Sequence, residues 1–281
     1  MNPEELIRLA QSSVKEQRAD EAARYCLQIL EAEPNNRDAL HLLALARKLD
    51  NRTADALKHL EQAIEAAPDF APAYNDLGAM LIAADRPGRA LEPLRKAVGL
   101  QPEYADAYVN LGNAQHKLGH YADAEQSYRR GVELDAAHSR GWISLGNLLR
   151  TMRRFDEAVG CFETAVELQP ANPLIHNFLG VGYRNLGDKE RSTTEFRRAL
   201  ELDPDLPEAN ANYGGMLMGQ GMFREAIPYL DKGRSDRSIG NAAECLLQMG
   251  AHDELFERIE ELARHEHINL FIASMSAYVS E

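Results

Sequence analysis

The sequence predicts an all-α fold, a solenoid of stacked helical hairpins in which each hairpin contacts its neighbours. The first observation is a five-residue segment that starts with an aromatic residue and ends with Leu-Gly. It recurs every 34 residues, at 74–78, 108–112 and 142–146. A fixed period between about 20 and 50 residues is typical of stacked arrays. The second observation is that no segment shows the alternating pattern of a strand.

Equivalent positions within the units support the same period. The predicted units start at Pro3, Arg37, Ala71, Ala105, Ser139, Pro173 and Pro207. The twentieth position is alanine in six units and serine in one, which predicts a close approach of two backbones. The twenty-fourth position carries core-filling side chains, and the thirty-second is proline in five units, which predicts a helix stop.

Each unit carries two helical patterns. In the unit that starts at Ala105, apolar and small residues recur at helical spacing from Tyr108 to Gln115, and Gly119 ends that pattern. A second pattern follows from Ala124 to Gly131. Pro93 and Pro228 fall inside second helices, where we expect them to displace the start of the helix or to bend it.

The two ends of the chain depart from the repeat. We predict seven units over residues 3–240 as one solenoid, and over residues 241–281 a degenerate eighth hairpin followed by a C-terminal capping helix. That eighth hairpin should occupy roughly residues 236–267. The capping helix would be apolar at Leu270, Phe271 and Met275, which also leaves open self-association through it.

These positions together resemble the tetratricopeptide repeat family, and the resemblance covers residues 3–240 without insertion or deletion. It implies a right-handed superhelix whose first helices line the concave side. It also implies a protein or peptide partner that is bound along this groove.

Charge and cysteine content limit the function classes. Lys and Arg number 31 and Asp and Glu number 44, which gives a net charge of −13. This balance argues against nucleic acid or an anionic membrane as the main partner. Cys26, Cys161 and Cys245 are far apart, form no Cys-x-x-Cys pair and are expected to be free thiols. With no signal-like or membrane-spanning segment, we expect a cytoplasmic protein.

Residues for chemistry are sparse, so we predict no enzyme, no metal and no cofactor. His265 and His267 fall on different faces of a helix, and a turn is expected between His116 and His120. His176 is expected to be a packed, hydrogen-bonded core residue. Nucleophile, phosphate-loop and dinucleotide motifs are absent from the sequence.

The candidate site is the surface of the first helices. Side chains at the second, fifth, sixth, ninth, twelfth and thirteenth positions should face the groove. The predicted peptide-binding residues are Asn75, Asn110, Asn113, His116, Lys117, Asn147, Arg150, Asn177 and Arg184. A row of amides can hold a peptide backbone whatever its sequence. The row resembles the asparagine ladder of O-linked N-acetylglucosamine transferases, although Ser144 and Phe178 interrupt it.

A basic strip beside the amides suggests the ligand's charge. The cations among the candidate residues would attract carboxylates or phosphates, and Arg would bind them through two hydrogen bonds. Val109, Ile143, Phe178 and Val181 are expected to add apolar contacts. The sequence therefore predicts a non-catalytic scaffold that binds an extended, acidic peptide. The alternative is the substrate-recruiting arm of a larger enzyme, a glycosyltransferase, sulfotransferase or oxygenase, whose catalytic part lies beyond this chain.

Overall fold

A computed structural model describes residues 2–264, and the side chains as far as residue 259. Within this range the chain forms sixteen α-helices and no strand. It divides into two compact units, Met1–Leu148 and Leu149–Glu281. The all-α hairpin fold predicted from the sequence is confirmed.

The first unit contains four complete helical hairpins. Their helices are α1 (Pro3–Lys15), α2 (Ala19–Ala32), α3 (Arg37–Leu49), α4 (Thr53–Ala66), α5 (Ala71–Ala83), α6 (Pro87–Leu100), α7 (Ala105–Lys117) and α8 (Tyr121–Leu134). Each odd-numbered helix packs on the even-numbered helix that follows it, and consecutive odd-numbered helices also touch. The next helix, α9 (Ser139–Thr151), crosses the division between the units.

The second unit continues with the same alternation. Its helices are α10 (Phe155–Leu168), α11 (Pro173–Leu186), α12 (Lys189–Leu202), α13 (Pro207–Gly219), α14 (Phe223–Lys232), α15 (Asp236–Gln248) and α16 (His252–Arg264). Here α11 pairs with α12, α13 with α14 and α15 with α16, while α13 also touches both α11 and α15. The expected C-terminal helix from Leu270 onward lies outside the described residues.

The predicted unit boundaries coincide with the observed helices. Every one of the seven first helices begins at its predicted unit start, from Pro3 to Pro207. The period then shortens, because α14 has 10 residues where the earlier second helices have 14. Pro93 and Pro228 both lie inside continuous helices that begin at the usual position in the unit. The first alternative, a displaced helix start, is therefore wrong, and the second, a bend in the helix, stays a prediction.

The turn inside each hairpin passes through the left-handed region at the fifteenth position. Positive φ angles occur there at Gln17, Asn51, Asp85, Gly119, Arg153, Gly187 and Gly221. Glycine takes this conformation without a steric cost, whereas arginine at φ 62° does not. The sequence showed this turn only where glycine occupies it, as at Gly119.

Close packing of the two helices in a hairpin depends on small residues opposite large ones. The alanines and the serine at the twentieth position are completely buried. Glycine at the eighth position lies against the core side chain at the twenty-fourth. A Cβ added to Gly112 would come within 2.6 Å of the Tyr128 ring, and one added to Gly180 within 2.7 Å of the Phe196 ring. The repeating glycine is therefore required by contact rather than by backbone conformation.

All three cysteines are buried free thiols, as predicted. Cys26 packs among alanines and leucines of α1 to α3. Burial raises the pKa of its thiol to about 12, so the side chain remains a protonated, apolar core residue at pH 7.

Replacing Gly180 by alanine should destabilise the second unit, because the new Cβ would overlap the buried Phe196 ring. Overpacking of this kind lowers the free energy of unfolding by about 1–3 kcal/mol. Gly160→Ala is the matched control, since Gly160 lies inside α10 with nothing within 4 Å of an added Cβ. Alanine there should raise stability by about 0.5–1 kcal/mol. Urea unfolding followed by circular dichroism measures both, and equal midpoints would contradict the close contact.

Candidate functional site

The side chain at the fourth position ties the first helix to the preceding turn in several units. In four units it donates a hydrogen bond to the backbone carbonyl six residues earlier. The pairs are Tyr74 Oη with Pro68 O (3.3 Å), Trp142 Nε1 with Ala136 O (2.9 Å), His176 Nε2 with Pro170 O (2.9 Å) and Asn210 Nδ2 with Pro204 O (3.0 Å). These residues share an N–H or O–H donor rather than an aromatic ring. The prediction that His176 is a packed, hydrogen-bonded core residue is confirmed.

Side chains at the fifth and sixth positions link consecutive first helices. Asn110 Nδ2 donates to Asn75 Oδ1 at 2.8 Å, and Asn212 Nδ2 donates to Asn177 Oδ1 at 2.9 Å. His41 Nε2 and Asp76 Oδ2 make the equivalent contact at 2.6 Å. In each pair the residues are 35 positions apart, from the fifth position of one unit to the sixth of the next. We call these three pairs the inter-repeat links.

Burial of the linked amides changes their expected role. Asn75, Asn110 and Asn177 are 5%, 8% and 3% exposed. Asn75 is engaged further, since its Nδ2 lies 3.4 Å from the hydroxyl of Tyr104. The three amides form hydrogen bonds with one another or with nearby side chains. In this conformation they therefore offer little free surface to a ligand. Val109, expected beside the groove, is instead completely buried, because Gly131 leaves space for it.

The remaining candidates of the first unit form what we call the first-unit surface: Asn113, His116, Lys117 and Asn147. The two asparagines and His116 are half-buried, and Lys117 is exposed. Asn113 Oδ1 accepts a 2.8 Å hydrogen bond from the hydroxyl of the buried Tyr128. That bond orients the Asn113 amide so that its NH₂ group stays available. The His116 ring is edge-on to Tyr128, and Lys117 Nζ lies 3.0 Å from Asp85 Oδ1.

The second unit carries a separate basic surface around Arg184. Arg184 Nη1 donates to Asn212 Oδ1 at 3.1 Å, and its guanidinium carbon lies 5.8 Å from the centre of the Phe196 ring. Burial, and then the neighbouring charges of Arg237 and Arg150, hold the pKa of Arg184 below its usual value. Three guanidinium groups therefore share one region of an acidic protein.

A pocket of about 550 Å³ opens beside these arginines. We call it the second-unit pocket; its polar lining comes from Arg184, Asn212, Arg237, Asn241 and the two serines Ser235 and Ser238. Sequence reasoning missed Asn212, Arg237 and Asn241. Asn212 could have been found, because it occupies the sixth position, but Arg237 and Asn241 lie where the period has already shortened.

Among the described side chains, which end at residue 259, no group of three or more His, Cys, Asp or Glu is placed to hold a metal ion. His265 and His267 lie outside the described residues. None of the described helices is both long enough and apolar enough to cross a membrane.

Comparison with protein families identifies the repeat. A tetratricopeptide repeat model matches residues 7–69, 50–103 and 143–207, which is more than half of the chain. A second tetratricopeptide repeat model matches residues 105–137, and a third model, of the TPR repeat, matches residues 88–119. The chain belongs to the tetratricopeptide repeat family, whose members mediate protein interactions. A search of curated proteins found no match.

Solved structures share this fold at low sequence identity. A chain of the APC/C hetero-tetramer Cut9–Hcn1 has a TM-score of 0.74 and 15% identity, over 84% of this chain and 48% of that one. PilF of Pseudomonas aeruginosa has a TM-score of 0.63 and 21% identity, over 74% and 97%. YrrB, described as a TPR protein with an unusual peptide-binding site, has a TM-score of 0.53 and 23% identity, over 67% and 97%.

The inter-repeat link in the first unit can be tested by a double-mutant cycle. Asn110→Ala or Asn75→Ala should each lower the free energy of unfolding by about 1–3 kcal/mol, because a buried partner is left unsatisfied. The double variant should cost less than the two single costs together, by about 0.5–3 kcal/mol. Urea unfolding of the four proteins gives the coupling. Strictly additive costs would mean that the two amides do not stabilise each other.

Proposed function

We propose that this chain is a protein-interaction scaffold that binds extended segments of a partner protein on its first helices, with no reaction of its own. One observation carries the proposal. Polar side chains at the fourth, fifth and sixth positions are used in hydrogen bonds within the chain. Those at the ninth, twelfth and thirteenth positions are half-buried or exposed, so a ligand can reach them from the solvent.

The amides of the first-unit surface suit a peptide backbone. Asn113 and Asn147 occupy the ninth position of successive units and are half-buried. A side-chain amide offers both a donor and an acceptor, so it can bond the backbone of a peptide of any sequence. The resemblance to an asparagine ladder is therefore proposed for these two residues and not for the buried Asn75, Asn110 and Asn177.

The charges of both surfaces favour acidic segments. His116 and Lys117 stand on the first-unit surface, and Arg150 and Arg184 belong to the second unit. On a chain of net charge −13, Lys117, Arg150 and Arg184 mark where a negatively charged ligand is attracted rather than repelled. Ile143, Phe178 and Val181 are half-buried and leave apolar atoms for intermittent anchors.

Two further lines support the proposal. A peptide ligand agrees with the peptide-binding site described for YrrB, and a protein partner agrees with the Cut9–Hcn1 complex. The three free thiols suit a reducing compartment, and we therefore propose that the protein works in the cytoplasm.

Binding should be measured with three labelled peptides of equal length. They share leucine anchors and carry glutamate, glutamine or lysine at the other positions. The glutamate peptide should bind most tightly. The double variant Asn113→Ala, Asn147→Ala should weaken binding of the glutamate and glutamine peptides to the same extent. We expect about three- to tenfold for each hydrogen bond lost. Lys117→Gln should weaken the glutamate peptide selectively, because it removes only a charge.

Lys58→Gln serves as the matched control, since Lys58 is an exposed lysine on the second helix α4. Circular dichroism establishes that each variant is folded. If the asparagine variant bound all three peptides as the original chain does, ligand binding on the first-unit surface would be refuted.

A further inference from the structure

The lining of the second-unit pocket is unusual for this chain. Acidic residues outnumber basic ones, 44 to 31, yet no aspartate or glutamate is among the described residues that line the pocket. Its charged groups are the guanidinium groups of Arg184 and Arg237, with the amides of Asn212 and Asn241 beside them. Within the described side chains, neither arginine forms an ion pair with a carboxylate. Among the described side chains, the pocket therefore gathers positive charge that no carboxylate neutralises.

The space exists because α13 lacks side chains where other first helices carry them. At the ninth position α13 has Gly215, where Asn113 and Asn147 stand in other units. At the thirteenth position it has Gly219 in place of Lys117. A Cβ on Gly215 would meet only Asn241 Nδ2, at 3.9 Å, and one on Gly219 would meet nothing within 4 Å. Both glycines line the open pocket.

The arginine at the edge of this space is held in position. Asn177 is buried and accepts a hydrogen bond from Asn212, which in turn accepts one from Arg184. The inter-repeat link thus continues into the pocket and orients the guanidinium group. An oriented guanidinium presents two parallel N–H donors, which match two oxygens of one anion.

We propose that the second-unit pocket binds a phosphorylated side chain of the partner segment, and this proposal rests on the proposed peptide-binding function. A phosphoserine or phosphothreonine carries about −1.5 to −2 charges at pH 7 and three strong acceptor oxygens. The guanidinium groups of Arg184 and Arg237 and the amide of Asn241 supply the matching donors. A carboxylate has two oxygens and a single charge, so it would compensate less of the charge shared by Arg184 and Arg237. The cavity of about 550 Å³ leaves space for the flanking peptide as well.

Three peptides that differ only at a central serine, phosphoserine or glutamate provide the test, with inorganic phosphate and acetate as small probes. Arginine side-chain resonances of the ¹⁵N-labelled chain report binding at fixed ionic strength. The phosphoserine peptide should bind at least about tenfold more tightly than the serine peptide, as expected for charge-assisted hydrogen bonds. Arg237→Gln should reduce the preference for the phosphoserine peptide over the serine peptide by about tenfold.

Two further variants separate the pocket from surface charge alone. Gly215→Leu should fill the pocket without removing a charge, and it should reduce phosphoserine binding as strongly as Arg237→Gln does. Arg198→Gln is the matched control, because Arg198 is exposed on α12 and pairs with Glu201 at 2.9 Å, away from the pocket lining. It should leave phosphoserine binding unchanged.

Each other outcome overturns the proposal. Equal binding of the glutamate and phosphoserine peptides would make the pocket a carboxylate site. If inorganic phosphate shifted the resonances of all exposed arginines alike, it would be an adventitious ion only. Unaltered phosphoserine binding in Gly215→Leu would place the ligand elsewhere. If phosphoserine binding failed while the first-unit surface still bound the leucine-anchored peptides, the phosphate site would be refuted. The proposed scaffold function would then still stand. Phosphoserine recognition without binding of those peptides would refute the first-unit surface instead.

Discussion

A side-chain hydrogen bond between residues 35 positions apart joins consecutive first helices at three described junctions. It joins Asn75 to Asn110 in the first unit and Asn177 to Asn212 in the second. His41 and Asp76 make the same contact with different chemistry, so the geometry is retained while the residues change. A polar pair of this kind is costly if either partner is lost, because the group left behind is buried. It therefore specifies one packing arrangement where apolar contacts alone would allow several.

The apolar packing inside each hairpin complements this polar pairing. Glycine at the eighth position accepts the large side chain at the twenty-fourth, as Gly180 accepts Phe196. That contact brings the two helices of a hairpin together, while the donor at the fourth position ties the first helix to the preceding turn in four units. The fourth, fifth, sixth and eighth positions thus contribute to packing within the chain. The side chains one or two turns further along the first helix are the ones that a ligand can reach.

The fold was predictable from the sequence, but the roles of its polar residues were only partly so. The period identifies equivalent positions, and the helix starts from Pro3 to Pro207 follow from it directly. Period alone does not show which way a helix is rotated. Asn75 and Asn113 are both first-helix asparagines, yet one is buried against a neighbouring helix and the other is half-exposed. Arg237 could not be placed because α14 is shortened and the register after it changes.

The central claim is that the inter-repeat amides hold the structure while the ninth-position amides bind the ligand. Side-chain amide resonances of an ¹⁵N-labelled chain test this most directly, through hydrogen exchange and a titration with the glutamate peptide. The account predicts slow exchange and unmoved resonances for the NH₂ groups of Asn110 and Asn212. It predicts fast exchange at Asn113 and peptide-induced shifts at both Asn113 and Asn147. Fast exchange at Asn110 together with a shift on peptide addition would contradict it, because the buried pair would then be part of the ligand-binding surface.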